Sequence, residues 1–453
     1  MKHWQKAIGN RRWAKGKGRS TEIVPRFTIH GSRLTSHFSL FTIHYLLFTI
    51  FFSFSVAHAK IYIDITSPAS KRLPIAITEF AGPSGREISD TIRDDLDFTG
   101  IFLALDRGAF IESPSQPFNA KNWSVIGAEA VVKGKVTGDK NITVEVALYD
   151  VAEGKQAFRK EYQSEASLLR PLAHTIANDI YRQITGENGI FRSRIAYIVR
   201  EAGHDELVVA DWDGKRQNRP GVQGSILLGP RWSKDGARLL YSSERNRQWG
   251  IYLLDFKKLQ EKNVYSGKGT NLAGGFFPNP DEFVFSSSVA GTPDIYRYRI
   301  SESALTRLTS SRSVDVSPAV SPDGARIAFV SDRQGGPQIF IMDAEGNDIR
   351  RLSYNGSYNT SPSWSPRGDK IAYAGRLGNR NQIFTVNPDS TGPIQLTDRG
   401  NNEDPSFSPD GRFIVFTSDR DGERAVYIMR SNGEAQKRIT PKGVRAFGPR
   451  WSP

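Results

Sequence analysis

From Arg194 onward, apolar and polar positions recur with one long period. Ile195, Leu239, Phe283, Ile327, Ile371 and Ile414 each stand two residues before an aromatic side chain: Tyr197, Tyr241, Phe285, Phe329, Tyr373 and Phe416. A further apolar column runs through Leu207, Ile251, Ile295, Ile339, Ile383 and Val426. A turn column at Ser233, Phe277, Ser321, Ser365, Ser408 and Ser452 has steps of 44, 44, 44, 43 and 44 residues, and its fullest form is Ser-Pro-Asp-Gly. Short runs of alternating character, broken by Gly, Pro, Asn and Asp and repeated six times, predict the blades of a β-propeller rather than a helical solenoid.

Each unit supplies a first strand ending in the Ser-Pro-Asp-Gly turn, a second with the Ile-x-aromatic alternation, a third after a Gly-rich loop, and a fourth such as Ile349 to Leu352. The fourth strand of the first unit is poorly marked around Gln217 to Leu228. The phase is offset: the first unit begins at its second strand, and Gly448-Pro-Arg-Trp-Ser-Pro453 is only a first strand. The C-terminal strand is therefore expected to complete blade one and close the ring, which removes an open sheet edge.

Between Lys60 and Asn188 the pattern is mixed. Strand-like runs fall at Ile61 to Ile65, Ile75 to Phe80, Ala130 to Val136, Thr143 to Tyr149 and Ala157 to Tyr162. One helix is expected after Ser84, whose spacing to Glu87 is that of a capping box, with Ile88, Ile92 and Leu96 on one face. A second has Pro171 in its first turn, Leu172, Ile176, Ile180 and Ile184 as its stripe, and Gly186 as its stop. The expected fold is thus a six-bladed propeller of four-stranded blades over 189–453, preceded by a small α/β domain over 60–188 with two helices on one face of a mixed sheet.

Residues 1–59 form a basic leader, an uncharged run from Phe38 to Val56, and Ala57-His58-Ala59, the layout of a cleaved export signal with Lys60 as the mature start. This leader changes how the net charge of +13 is understood. It holds nine Lys/Arg and one acid, so the remaining 394 residues carry only +5. That balance gives no footprint for nucleic acid. Cysteine is absent, which excludes disulfides and thiolate chemistry.

Catalytic patterns are not found. Only His174 and His204 follow the leader, the first expected at a helix surface and the second in a loop. There is no G-x-S-x-G elbow, P-loop, H-E-x-x-H or G-x-G-x-x-G. No metal, cofactor or catalytic residue is assigned. The aspartates at Asp235, Asp323 and Asp410 suit turn chemistry, since Pro presets φ, Asp bonds the local backbone and Gly takes positive φ. Trp232, Trp364 and Trp451 share one repeat position, which points to packing between blades. Recognition is expected on the opposite face, where loops vary most between copies. These include Asn271, Asp315, Asn359, Glu403 and Arg445 leading into first strands, with Arg245, Arg333, Arg376 and Arg420 in or beside the neighbouring loops.

Several stretches carry a family likeness: Ala59-Lys-Ile-Tyr-Ile-Asp64 followed by Leu73-Pro-Ile-Ala-Ile77, Ala128 to Thr137 with its Ala-Val-Val-x-Gly core, Ile184-Thr-Gly186, and Phe191-Arg-Ser-Arg-Ile-Ala-Tyr-Ile-Val199. With the six repeats, they make nearly everything after Ala59 resemble the TolB family, the periplasmic propeller proteins of the Tol-Pal cell-envelope system. The resemblance implies a non-enzymatic periplasmic adaptor. It would bind the peptidoglycan-associated lipoprotein Pal through the loop-rich face and the inner-membrane protein TolA through the mature N-terminus, supporting outer-membrane constriction at division and envelope integrity. The TolA contact would fall on Lys60, Ile61, Tyr62, Ile63, Asp64 and Ile65, whose alternating isoleucines suit strand addition to a partner sheet. The chain departs from the family pattern before the second blade, where Ser225-Ile-Leu-Leu-Gly229 replaces a segment that often carries His.

Two other readings compete. Related repeats form the propeller of prolyl-oligopeptidase-like and tricorn-like peptidases, which add a hydrolase domain for which no residues are expected here. A carbohydrate-binding propeller would place aromatic residues in the channel-mouth loops, where Tyr358 and Phe447 are the candidates.

Overall fold

The structure is a computed structural model that describes residues 71–453. The expected leader over 1–59 and the expected strand from Lys60 to Ile65 lie outside the described residues. The α/β domain is a five-stranded mixed sheet, numbered here in chain order: β1 (Leu73–Ile77), β2 (Phe102–Ala104), β3 (Ala130–Thr137), β4 (Asn141–Asp150) and β5 (Lys155–Glu165). The spatial order is β2-β1-β3-β4-β5, with β1 parallel to both neighbours and the rest antiparallel. In β4 the strict alternation of Ile142, Val144, Val146 and Leu148 selects the buried face.

Helices α1 (Gly85–Phe98) and α3 (Leu169–Thr185) cover that face with the two predicted stripes. Each fully buried Ile or Leu there contributes roughly 1.5 to 3 kcal/mol relative to exposure. Gly186 ends α3 with φ of 78°, as its sequence position suggested. The capping box does not form. Ser84 takes a left-handed φ of 58° and its hydroxyl makes no capping bond, because the chain turns sharply through Gly82 and the Gly85 amide closes onto the Gly82 carbonyl. A third helix, α2 (Ala120–Val125), was not foreseen. It places Trp123 on the other sheet face with Ala76, Val131 and Val151, so the sheet is covered on both sides.

The propeller consists of six four-stranded antiparallel sheets. Blade 1 combines Ala446–Trp451 with Arg194–Glu201, His204–Asp211 and Gln223–Gly224. Blades 2 to 6 begin at the inner strands Ile226–Trp232, Asn271–Phe276, Asp315–Val320, Asn359–Trp364 and Asn402–Phe407. Consecutive inner strands touch around a complete ring. The aromatic column of the second strands faces a ring on the third strand in five blades: Tyr241 with Tyr252, Phe285 with Tyr296, Phe329 with Phe340, Tyr373 with Phe384, and Phe416 with Tyr427, at 5.5 to 6.0 Å. Such cross-strand pairs lock register as well as adding packing. In blade 1 the partner of Tyr197 is Val208.

Closure follows the predicted route. Ala446 pairs with Val199 and Trp451 with Ile195. Trp451 Nε1 donates to Ser193 Oγ at 2.7 Å, and Ser452 and Arg194 exchange bonds of 2.7 and 2.8 Å. The Trp column does pack between blades: Trp364 Nε1 donates to the Ala319 carbonyl of the preceding blade and Trp232 Nε1 to that of Arg450. The Ser-Pro-Asp-Gly segments and their variants are turns, as in Ser233-Lys-Asp-Gly236, where the Ser233 hydroxyl donates to Asp235 at 2.6 Å and accepts from the Arg238 amide at 2.9 Å. The bond from Ser233 holds the Asp235 carboxyl below the usual range.

The α/β domain sits on the face of these turns. Phe98 at the end of α1 wedges between Trp212 of blade 1 and Phe413 of blade 6, at 5.0 and 5.2 Å. Glu187 pairs with Arg412 at 3.1 Å and Arg170 with Asp213. Contrary to its expected surface position, His174 is buried here, with Nδ1 2.7 Å from Asp95 Oδ2 and its ring edge-on to Trp212. The i, i+4 stripe told only which side faces the sheet; the propeller covers the neighbouring side. His204, expected in a loop, opens the third element of blade 1 opposite Glu201.

Removing Gly448 to Pro453 should lower the melting temperature by roughly 10 °C or more, since it strips both a packed Trp and a full strand of bonds; an unchanged melting curve would refute the closure model. Burial pushes the Asp95 carboxyl up to about 6 from 3.8, against the opposing pull of His174 and Arg170. The folded protein then keeps a proton that the unfolded chain releases, so this contribution to stability is present below about pH 4 and lost as pH rises through about 6. Asp95→Asn should flatten the stability profile between those values in chemical denaturation.

Candidate partner-binding face

The loops opposite the α/β domain enter the inner strands and join the second strands to the third. Asn271, Asp315 and Asn359 stand at the first residue of their inner strands and have no exposed surface. Asn271 donates to the carbonyls of Trp249 and Gly267, and accepts from Ser287 Oγ at 2.6 Å. Asp315 accepts two bonds from Arg333, at 2.9 and 3.1 Å. Asn359 donates to Gln338 and to the Asn355 carbonyl. The same register position in blade 6 is Asn402, not Glu403, and it is equally buried. These side chains hold the loops in shape from beneath and offer a partner no surface of their own.

Glu403 lies one residue further, facing the channel mouth. It accepts from Asn381 and Asn401 at 3.2 Å and pairs with Arg424. Arg445 is exposed at the rim. Of the four loop arginines, Arg333 stacks between Phe329 and Phe340 at 5.3 and 5.2 Å, and Arg420 between Phe416 and Tyr427 at 5.2 and 4.9 Å. Arg245 lies 4.0 Å from the Tyr252 ring centre and Arg376 4.7 Å from that of Tyr358. For Arg245, Arg333 and Arg420 the ring belongs to the cross-strand aromatic pair, so in three blades a guanidinium caps the blade core, whereas Arg376 covers the loop residue Tyr358.

Two channel features escaped the sequence analysis. Every inner strand carries a β-bulge, and in five of them a left-handed residue precedes proline: Gly229-Pro, Ser317-Pro, Ser361-Pro, Asp404-Pro and Gly448-Pro. The signal was a second X-Pro column in register with the turns. Beyond the bulge, Arg231 and Arg450 project from neighbouring inner strands. Burial lowers both guanidinium pKa values, and Arg231 among the described residues has only carbonyl partners, Gly274 and Pro230. The turn-side end of the channel widens to a cavity of about 410 Å³ lined by Trp232, Phe276, Val320, Trp364, Phe407 and Trp451.

The loop face exposes Val289 and Val314 on blades 3 and 4, and its two most exposed large apolar side chains flank the inner strand of blade 5. Tyr354 is 65% exposed and Leu377, at a hairpin tip, 55%. Around them stand the exposed Arg376 and Arg380, with Arg351 4.9 Å from the Tyr354 ring. Tyr358 is half-buried beneath Arg376, and Phe447 half-buried beneath Arg200 at the channel mouth. Exposed Tyr and Arg are the residue types enriched at interface centres, and Leu377 adds apolar surface beside them. No group of three or more potential metal ligands is found among the described residues, and none of their helices is long and apolar enough to cross a membrane.

These elements define a propeller scaffold with an α/β domain seated on its turn face and its loop face left open. The sequence matches a family model described as the TolB beta propeller domain over residues 181–453, and one described as the TolB amino-terminal domain over 61–157. The chain belongs to the TolB family. Among curated relatives, the Tol-Pal system protein TolB of Dechloromonas aromatica is 33% identical over 48% of this chain and 52% of its own length. That of Anaeromyxobacter dehalogenans is 36% identical over 56% of this chain and 61% of its own length. The matched segments thus span between half and two thirds of those relatives. The crystal structure of TolB from Acinetobacter baumannii superposes with a TM-score of 0.78 at 27% identity, covering 85% of this chain and 97% of that one.

The burial contrast is measurable. Asp315→Lys should destabilise the protein by about 3 to 5 kcal/mol by leaving Arg333 and a lysine unpaired in the interior, whereas Tyr354→Ala and Leu377→Asp should each stay within about 0.5 kcal/mol of the parent. Denaturant titration of the three variants checks both halves; an Asp315→Lys protein as stable as the parent would contradict the anchoring role.

Proposed function

We propose that the protein is a non-enzymatic periplasmic adaptor of the Tol-Pal system. Its loop face docks a Pal-like peptidoglycan-associated lipoprotein, and its segment Lys60 to Ile65 adds as a strand to a TolA-like inner-membrane protein. By linking the two it supports outer-membrane constriction at division and envelope integrity. The observation that carries this reading is the division of faces: the α/β domain occupies the turn face through Phe98, while the loop face keeps Tyr354, Leu377 and their arginines in solvent. Family membership and the Tol-Pal names of the relatives support it further. The buried anchors Asn271, Asp315 and Asn359 enter the contact through the loops they hold, with Glu403 and Arg445 at the channel mouth and rim.

Affinity capture from cell-envelope extracts tests both contacts. The parent protein should recover a peptidoglycan-bound lipoprotein, and Tyr354→Ala combined with Leu377→Asp should reduce that recovery at least tenfold with no change in melting temperature. Deleting Lys60 to Ile65 should remove the inner-membrane partner and spare the lipoprotein. Undiminished lipoprotein capture by the double variant would overturn the assigned docking surface, and equal loss of both partners on the deletion would overturn the two-site reading.

A further inference from the structure

A cavity of about 340 Å³ lies where α3 meets the propeller, remote from the loop face. Its walls come from both domains. Pro171, His174 and Thr175 belong to α3, Phe191 and Arg192 to the connecting segment, and Arg194, Asp211 and Arg216 to blade 1. The three guanidiniums and one carboxylate leave a net charge of +2 on the lining.

The three arginines are committed to different degrees. Arg216 is bound to Asp211 through two bonds of 3.0 Å. Arg194 lies over the rings of Trp232 and Phe256 at 5.1 and 5.3 Å, and donates to the Gly236 carbonyl. Arg192 is exposed and has no partner among the described residues. Burial, and after it the repulsion from the nearby Arg216, lowers the Arg194 pKa. A second observation points the same way. His174 is 2% exposed, its Nδ1 is taken by Asp95, and its Nε2 has no protein partner. A buried nitrogen left without a hydrogen bond costs about 1 to 3 kcal/mol, so the junction beside the cavity carries an unmet polar group.

We propose that this junction cavity binds a phosphate-class dianion, either inorganic phosphate or the terminus of a phosphate monoester. Charge decides the class: a phosphate group carries about −1.5 to −2 near neutral pH and offers planar guanidiniums several acceptor oxygens, which matches a lining of +2. Arg192 supplies the free guanidinium and Arg194 and Arg216 the fixed positive wall, with His174 in the α3 side of the lining. Because α3 and blade 1 both contribute, a bound anion would fasten the α/β domain to the propeller, beyond the contacts of Phe98 and Glu187. This site is independent of the partner contacts proposed above.

The experiment is a thermal melt of the purified protein in inorganic phosphate, in glycerol 3-phosphate and in acetate, each at constant ionic strength set with chloride. Ligands that bind only the folded state raise the melting temperature with concentration. The parent should respond to either or both phosphates and not to acetate. Arg192→Glu changes an exposed, unpaired residue, so its melting curve in chloride should match the parent, while calorimetric titration should show phosphate affinity reduced at least tenfold. A response to inorganic phosphate alone supports an enclosed ion site, and a response to both phosphates supports a site open to monoesters. No phosphate response in the parent overturns the proposal. An equal response in Arg192→Glu also overturns it, marking the general stabilisation that phosphate gives by exclusion from protein surfaces.

Discussion

The pairing of Ala446–Trp451 with Arg194–Glu201 is the contact on which the remainder of the molecule depends. It turns a row of five blades and a partial sheet into a ring with no free inner edge. It also completes blade 1, and blade 1 carries Trp212 and Asp213, to which the α/β domain is attached through Phe98 and Arg170. Ser193, which receives the Trp451 indole, lies within the segment that links the two domains. Closure and docking therefore share residues, and their energies are not separable.

The two faces of the propeller are built by different chemistry. On the turn face, short Ser-Pro-Asp-Gly segments satisfy themselves and leave room for another domain to lie flat. On the loop face, a buried polar belt repeats with the blades. The hydroxyls of Thr309, Ser353, Thr397 and Thr440 accept the amides of Ile295, Ile339, Ile383 and Val426, and Asn359 and Asn402 are tied into the same networks. Such networks are costly when incomplete and specific when complete. They fix where each loop starts, so the residues above them can vary without moving the scaffold.

This arrangement accounts for what the sequence could and could not reveal. Blade number, strand phase and ring closure were legible because each rests on a period that spans the whole repeat. The columns that mark it are core residues such as Ile195, Tyr197 and Leu207, whose burial is nearly complete. The sheet and the two long helices of the α/β domain were legible for the same reason. The loop anchors were placed correctly at strand entrances but looked like recognition residues, because a polar side chain in a loop gives no sign of whether it points up or down. His174 failed in a related way: its partners Asp95 and Trp212 lie 79 residues before it and on another domain. Tyr354 and Leu377 carried no periodic signal at all, which is what distinguishes a surface feature from the repeat beneath it.

One consequence of the closing strand concerns the order of events during synthesis. Trp451 and Ser193 are 258 residues apart in sequence. At about 5 to 20 residues per second, a growing chain exposes the Arg194–Glu201 edge for on the order of tens of seconds before its partner exists. Blades 2 to 6 are made of local hairpins and can form as they emerge, but blade 1 has to wait. Throughout that interval Ile195, Tyr197 and Val199 present an apolar strand edge that another chain could pair with. The molecule's vulnerability to aggregation is thus concentrated before the ring is shut, and a holding chaperone would have most to protect at Arg194–Glu201.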